Sequence, residues 1–442
     1  MFRTASPLLR YGSAIALSLF VPLQVTAQSS PAWPPLFELS FVELHEITSG
    51  PEYSHANLKS LKSQVEKERT EQIDASNKEK KRWKQQLDSA RKDLRDLNKS
   101  SSRDSVDMTE RRANLHRQID AAEDALRKNE AERQRIMTAA EIKLAKLKLV
   151  EEWPGRRERI LREIEQGRAR DRKRGDVEDI GHRKLVKNQE QDIALGEQGV
   201  RQLISSGLIP GALQDSDIQQ YIRNLTGKIA KNSDLKIPLH AAVLDSPEIQ
   251  VSTIPGGFMF VTSGLIRAAE TEAQLAGVLS REIARVAARQ GTRTSKQAIA
   301  STVLSAAVQI STGFFTAGVT SWPAFYGISA GAQGLSLLME RALIPSNEKY
   351  LKEADQLGIQ YAWKAGYDPK GFVSFLDKLA KDKQFSTKTN FFRSEEPSLA
   401  DRVISAFNEI EYLAINESYT VDTAEFQRTR EALEEYGQSS VP

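Results

Sequence analysis

At 442 residues the chain exceeds one typical domain, and its 40% hydrophobic content supports a sizeable core, while the charged 27% is spread unevenly. A formal net charge of +3 is too small to point to a nucleic-acid partner, and the absence of cysteine excludes a disulfide framework or a lipidated N-terminal Cys.

Residues 1–27 read as an export signal. Arg3 and Arg10 lie in the leading part, Ala14 to Val25 is largely apolar, and Val25-Thr26-Ala27 offers small residues for cleavage before Gln28. The apolar stretch is short for a membrane span and contains Pro22; an uncleaved anchor is the competing reading. Export places the mature chain beyond an inner membrane, in a periplasm, as a soluble or peripheral protein. Residues 28–55 carry Pro31, Pro34, Pro35 and Pro51 among Leu36, Phe37, Leu39, Phe41 and Val42, a pattern expected of an extended linker. His45-Glu46 has Ser at position 49, so the i,i+4 partner of a zinc pair is missing and the pair reads as chance.

From 56 to 188 the chain is strongly charged, with no Gly or Pro before Pro154. Trp83, Leu87, Ala90, Leu94 and Leu97 step by 4, 3, 4 and 3, the narrow seam of a coiled coil. After the break Ser100-Ser101-Ser102-Arg103-Asp104-Ser105, a second run through Leu115, Ile119, Ala122, Leu126, Ile136, Ala140 and Leu147 keeps approximate heptad spacing, with Asn129 and Arg133 at seam positions. An antiparallel hairpin is expected, its second helix about 45 residues and roughly 65–70 Å long. That helix should end at Trp153-Pro154-Gly155, because Pro lacks the N–H donor and Gly relaxes the backbone. A charged single helix with a solvated surface is the alternative. The basic stretch Arg168 to Arg174 belongs to a region with an excess of roughly ten positive charges. A solvated charged face is expected there, with an anionic membrane surface, cell-wall polymer or acidic protein as alternative partners and no nucleic acid after export.

The C-terminal body, 189–442, opens with helical patterns: Leu195, Val200, Leu203 and Ile204, then Ile218, Tyr221, Ile222, Leu225 and Ile229 at steps of three or four. Leu239 to Leu244 and Phe258 to Val261 are strand candidates, bounded by Pro238, Asp245-Ser246-Pro247 and Gly256-Gly257. The fold class expected is α+β and mostly helical. No charged residue occurs between Lys296 and Glu340, so 297–339 is either a helical pair packed over the body or a peripheral membrane contact.

The chemistry-bearing pattern is Arg281-Glu282-Ile283-Ala284-Arg285. In His-Glu-x-x-His, residues i and i+4 of a helix share a face, so two imidazoles grip one zinc while the Glu activates its water. Here arginine stands at both histidine positions. A guanidinium has no available lone pair and repels a cation. Around this pattern lie Ile254-Pro255-Gly256-Gly257-Phe258-Met259-Phe260-Val261-Thr262-Ser263-Gly264, then Glu270 to Leu279, Glu353-Ala354-Asp355-Gln356-Leu357-Gly358, Ala365-Gly366-Tyr367-Asp368-Pro369 and Glu396-Pro397-Ser398-Leu399-Ala400-Asp401-Arg402.

This order of blocks, over 189–410, resembles the zinc metallopeptidase family that includes the heat-shock protease HtpX, the CAAX prenyl proteases and the periplasmic beta-barrel assembly-enhancing protease. The resemblance implies a zincin-like domain preceded by the coiled-coil hairpin. It places the two histidine ligands on Arg281 and Arg285, the general base on Glu282, the third ligand on Leu351, a His-Pro pair on Glu396-Pro397, and a supporting carboxylate on Asp355. Glu353 is near Leu351 but about 200° around the helix axis from it. The only histidines are His45, His55, His116, His182 and His240, so none follows the motif. No metal is therefore expected, and zinc enters only if the chain is an active endopeptidase with atypical ligation and Glu282 as base. Arg281 or Arg285 should instead pair with Asp355 or Glu282, supplying the charge a metal would. An edge strand at Phe258, Met259, Phe260 and Val261 would hold peptide by strand addition or simply complete the sheet. The functional expectation is an exported, catalytically inactive relative acting as scaffold, regulator or peptide-binding module in the cell envelope. It would engage an envelope protein or peptide, with self-association through the coiled coil as a further route. A membrane-associated structural protein anchored by 297–339 is the remaining alternative.

Overall fold

The computed structural model describes residues 36–50, 57–99, 106–183, 185–205, 210–292, 348–381, 398–415 and 418–439. The leader 1–27, the break 100–105, the uncharged 297–339 segment and Glu396-Pro397 lie outside the described residues. In chain order the helices and strands are α1 (Phe41–Thr48), α2 (Leu58–Lys99), α3 (Val106–Glu165), α4 (Asp192–Ser205), α5 (Ser216–Lys231), β1 (His240–Leu244), β2 (Val251–Ile254), β3 (Phe258–Thr262), α6 (Ser263–Ala268), α7 (Glu272–Ala287), α8 (Glu348–Lys364), α9 (Gly371–Lys381), α10 (Leu399–Tyr412) and α11 (Ala424–Ser439). The chain is mostly helical with a small sheet. Among the described residues no helix is long and apolar enough to cross a membrane.

Helix α1 stands inside the span expected to be an extended linker. Its start is set by a capping box: the Ser40 hydroxyl accepts from the Glu43 N–H at 3.1 Å, and the Glu43 carboxylate accepts from the Ser40 N–H at 2.7 Å. Asp377 of α9 accepts from the N–H groups of Phe41 and Val42 at 2.7 and 3.3 Å, satisfying donors that a helix start leaves unpaired. Phe41 and Leu44 are fully buried in the main core, so this segment is part of the body.

Helices α2 and α3 pack side by side. Asn98 accepts from Arg112 at 3.2 Å, Arg91 pairs with Glu123 at 2.7 Å, Lys80 with Glu130 at 3.0 Å and Lys143 with Glu68 at 3.4 Å, so the two helices run antiparallel. Leu87, Ala90, Leu97, Leu115 and Ala122 are buried as their spacing predicts. The polar seam position Asn129 is satisfied across the pair: its amide donates to the Ser76 carbonyl at 3.1 Å and accepts from the Ser76 hydroxyl at 3.3 Å. One register satisfies this buried layer, and a slip would orphan it.

The second long helix does not stop at Trp153-Pro154-Gly155. It has 60 residues, about 90 Å at 1.5 Å per residue, and passes through Pro154 to Glu165. An interior Pro costs about 3 kcal/mol. Docking outweighs it. Trp153 is fully buried against the rings of His45 and Phe407 and donates Nε1–H to the Ser49 hydroxyl at 2.9 Å. Ile160 is buried two turns further, and Arg157 reaches Glu411 at 2.8 Å and the Ser49 carbonyl at 3.1 Å. Each buried apolar side chain contributes about 1.5–3 kcal/mol, enough to carry the helix past its proline.

The basic stretch after α3 also differs from a solvated face. Arg168 and Arg170 are exposed, but Arg172 donates to Glu409 at 2.6 Å with its guanidinium 3.4 Å from the Tyr412 ring, and Arg174 pairs with Glu353.

Strand β2 was not legible beforehand, and it changes the sheet. The order is β1-β3-β2, with β1 and β3 parallel and β2 and β3 antiparallel. Phe258, Met259, Phe260 and Val261, expected as an edge, therefore form the central strand with neighbours on both sides. Their backbone groups are spent within the sheet, which removes them as a strand-addition site. Helix α7 runs through the middle of the body, and every residue of it except Arg285 is buried. Two glycines set how close its neighbours come. A Cβ on Gly358 of α8 would lie 2.7 Å from the Cα of Arg281, and one on Gly277 of α7 would lie 2.6 Å from the Phe372 nitrogen of α9.

Candidate functional site

Thr271 caps α7, its hydroxyl accepting from the Gln274 N–H at 3.3 Å, and the helix then carries Arg281, Glu282 and Arg285 between α8 and the sheet. Arg281 and Arg285 are four residues apart on one face. Arg281 donates Nε–H to Asp355 Oδ1 at 2.6 Å and Nη1–H to Glu282 Oε1 at 2.9 Å. Arg285 donates Nη1–H to both Glu282 oxygens at 3.0 Å. The Thr253 hydroxyl of β2 donates to Glu282 Oε2 at 3.1 Å. The pairing expected from the sequence is thus present at both carboxylates.

Arg402 completes the cluster and was missed as a site residue. From α10 it donates Nε–H to Asp355 Oδ2 at 2.9 Å and Nη2–H to Asp355 Oδ1 at 3.2 Å, so one buried carboxylate joins three helices. A signal existed: Arg402 lies among Leu399, Val403, Ala406 and Phe407, the apolar face of an amphipathic helix, and a cation there needs a buried counter-charge. Burial by itself would raise the Asp355 pKa, but the Arg402 and Arg281 guanidiniums outweigh it and hold the carboxyl below the usual carboxylate range. Burial likewise opposes the charge on Arg281, and Asp355 and Glu282 reverse the effect and strengthen its hold on the proton.

Leu351 is half-buried on α8, four residues before Asp355, and offers no donor atom. Glu353 serves elsewhere, as its helical phase implies, accepting from Arg174 and from Gln290 Nε2 at 3.0 Å. Met259 and Val261 are fully buried core residues of β3, with Phe258 and Phe260 half-buried on its other face. Zinc does not fit this set of residues. The two helix positions present cations, the third presents hydrocarbon, and the carboxylate between them already accepts from Arg281, Arg285 and Thr253. Among the described residues no group of three or more His, Asp or Glu stands together in the manner of a metal site.

Beside Arg285 a small open cleft is lined by Thr253, Ile254 and Pro255 at the end of β2, by Arg285 and Arg289 of α7 and its extension, and by Asp192 and Thr292. Arg289 holds Asp192 through two bonds of 2.8 and 2.5 Å.

A mostly helical body built around a buried helix of this pattern, with a small sheet against it, is the setting of a metallopeptidase domain. Residues 213–410 match the sequence profile of peptidase family M48. It is 26% identical to the beta-barrel assembly-enhancing protease of Escherichia coli (strain K12) over 224 residues, 49% of this chain and 43% of that protein. It is 27% identical to the protein of that name from Yersinia pestis over 203 residues, 45% and 40% of the two chains. The putative beta-barrel assembly-enhancing protease of Vibrio cholerae is 29% identical over 216 residues, 48% and 43%. The match thus takes in less than half the length of these relatives.

Proposed function

We propose that this protein is an exported, noncatalytic member of family M48 that works by binding, as a peptide-holding scaffold or regulator in a periplasm. The observation that carries the reading is the state of Glu282, enclosed by Arg281, Arg285 and Thr253. A general base needs an oxygen open to a water molecule, and both oxygens of this carboxylate already accept from guanidiniums, one of them from a hydroxyl as well. The periplasmic assignment draws on the leader-like residues 1–27 and on similarity to proteins named for beta-barrel assembly.

A zincin-like domain retains a use for its sheet when it loses its metal. The edge available for an added strand is β2, because among the described residues it pairs with β3 alone. The Gln250 carbonyl accepts from the Thr262 N–H at 3.1 Å, so by alternation the backbone groups of Ser252 and Ile254 face β3 and those of Val251 and Thr253 face outward. In this reading α2 and α3 form a coiled-coil arm that supplies spacing or a second contact.

Metal analysis of the chain from Gln28 after zinc loading tests the central claim. An Arg281→His/Arg285→His/Leu351→Glu variant serves as the positive control. Zinc retained by the variant alone is the expected result. Stoichiometric zinc in the unmodified protein, with proteolysis abolished by Glu282→Gln, would overturn the reading.

A further inference from the structure

We propose that the junction of α1, α3 and α10 is an acid-released joint: with His45 protonated, the α2–α3 pair swings free of the body while both parts stay folded. The His45 ring lies between Phe407, stacked with centroids 4.0 Å apart, and Trp153 at 4.6 Å, so through it α1 ties the long helix to α10. It is 6% exposed, and neither ring nitrogen has a hydrogen-bond partner. A neutral imidazole carries one N–H and a protonated one carries two. The joint therefore leaves one buried donor unmet at neutral pH, and acid would make it two and add a charge.

The charged groups around the ring give an imidazolium little help. Glu411 of α10 has Oε2 3.9 Å from Nε2, but its other oxygen is held by Arg157 of α3 at 2.8 Å. Glu46 of α1 is taken by Lys370, ahead of α9, at 2.8 Å. Burial, reinforced by Lys370 and Arg157, lowers the pKa of the ring to about 3. A released ring takes up its proton near the ordinary value of about 6.5, so the joint is tightest above that pH, and each unit of acidification from there toward the folded value raises the opening constant by up to about tenfold. Other contacts across the joint also depend on carboxylates: Asp377 accepts from the Phe41 N–H at 2.7 Å, Glu141 of α3 accepts from the Leu399 N–H at 3.1 Å, and Asp401 takes Lys148 at 2.7 Å. The parts on either side are better protected. The polar layer between α2 and α3 is Asn129 and Ser76, which do not titrate, and the body keeps Asp355, whose carboxyl stays below the usual range despite burial because Arg402 and Arg281 face it. Acid thus loosens the joint before the parts it connects. Helix α3 has a place to yield, since Pro154 follows Trp153 and lacks the N–H of a regular helix. Opening uncovers Phe41, Leu44, Trp153 and Phe407, all fully buried when the joint is closed.

The test places a donor–acceptor dye pair on cysteines introduced as Gln85→Cys and Glu431→Cys in the chain from Gln28, which has no cysteine of its own. Both positions are exposed, one on α2 and one on α11. Energy transfer and far-UV circular dichroism are followed together as the pH is lowered from neutral and then restored. The expected result is a reversible change in transfer between about pH 5 and pH 3 with the helical signal kept. His45→Phe keeps a stacked ring that cannot take a proton, and it should move that change down by about one pH unit or more. A single transition in which transfer and helix change together would overturn the proposal, as would an unchanged transfer or an unshifted midpoint in His45→Phe. The comparison of the two signals is made with His45 in place, so a folding defect in the variant would not protect the proposal.

Discussion

Replacing Arg402 by Met isolates the energetics of the buried cluster. The substitution keeps much of the side-chain volume and removes the two bonds of 2.9 and 3.2 Å that Arg402 gives Asp355, leaving that carboxylate the single 2.6 Å bond from Arg281. Arg402 and Asp355 are both almost fully buried, so water cannot take over the lost contacts. Breaking a buried pair from one side costs about 3–5 kcal/mol, because the remaining charge is stranded. Asp355→Leu in the same background removes the stranded charge and should return part of the loss. Urea unfolding followed by far-UV circular dichroism at pH 7 gives the first number. The pH dependence gives the second. Asp355 has a depressed pKa when folded, so its contribution is present above the unfolded value of about 3.9 and is lost as pH falls through the folded value. The variant lacks this contribution, so the gap between the two proteins should narrow as the pH is lowered from 7 toward 4 and below. A loss under about 1 kcal/mol at pH 7, or a gap that widens on acidification, would refute the claim that Asp355 is a charged node shared by two arginines.

Other consequences are open to measurement. Pro154→Ala should stabilise the protein, by up to about 3 kcal/mol, whereas Trp153→Ala should cost about 3–5 kcal/mol; equal effects in chemical denaturation would contradict the account of α3. His45 is buried against Phe407 and Trp153, and burial together with Lys370 and Arg157 lowers its pKa to about 3. The unfolded chain binds that proton near pH 6.5 and the native state does not, so stability should fall as pH drops from about 6.5 toward 3, by at most about 1.4 kcal/mol per unit. His45→Phe should flatten that slope, and an unchanged profile would count against a neutral buried imidazole. The natural absence of cysteine allows Ser76→Cys/Asn129→Cys to report the register of α2 on α3 by disulfide formation under mild oxidant. Failure of that pair to close, with Ser76→Cys/Arg133→Cys closing instead, would mean a one-turn slip.

What was legible in the sequence depended on whether the signal was local. The 4, 3, 4, 3 spacing of Trp83 to Leu97 and the strand runs at 239–244 and 258–261 are read directly from side-chain period, and the structure has elements there. The cluster was half legible: helix geometry puts Arg281 and Arg285 on one face with Glu282 between them, and the family resemblance supplied Asp355. What failed involved partners distant in sequence. Pro154 reads as a stop until Trp153 is seen against His45 and Phe407, residues 108 and more positions away along the chain in one case and over 250 in the other, counted from the numbering. The prolines around 28–55 hid the Ser40 and Glu43 capping box, although that box is a local signal, and nothing local announces Asp377 as its second acceptor. Strand β2 was overlooked because four residues are too short for period to speak, and with it went the identity of the sheet edge.

The retained glutamate has an account that does not need catalysis. Once the two ligand positions are guanidiniums, the helix carries two cations four residues apart in a body that excludes water, and each needs a counter-charge. Glu282 lies between them and bonds both, while Asp355 takes the other edge of Arg281. Replacing Glu282 by Gln would then leave Arg285 with a neutral neighbour, a structural defect that would appear in any protein of this sequence whether or not it cleaved peptides. Arg402 makes the same point from the opposite side, since it supplies the donor to Asp355 Oδ2 while Arg281 bonds Oδ1. The arginines and carboxylates are therefore interdependent, and reverting a single position should unbalance the rest. A metal site could return only if the cations left together and a divalent ion took up their charge. This is why the zinc-loading control changes three positions at once.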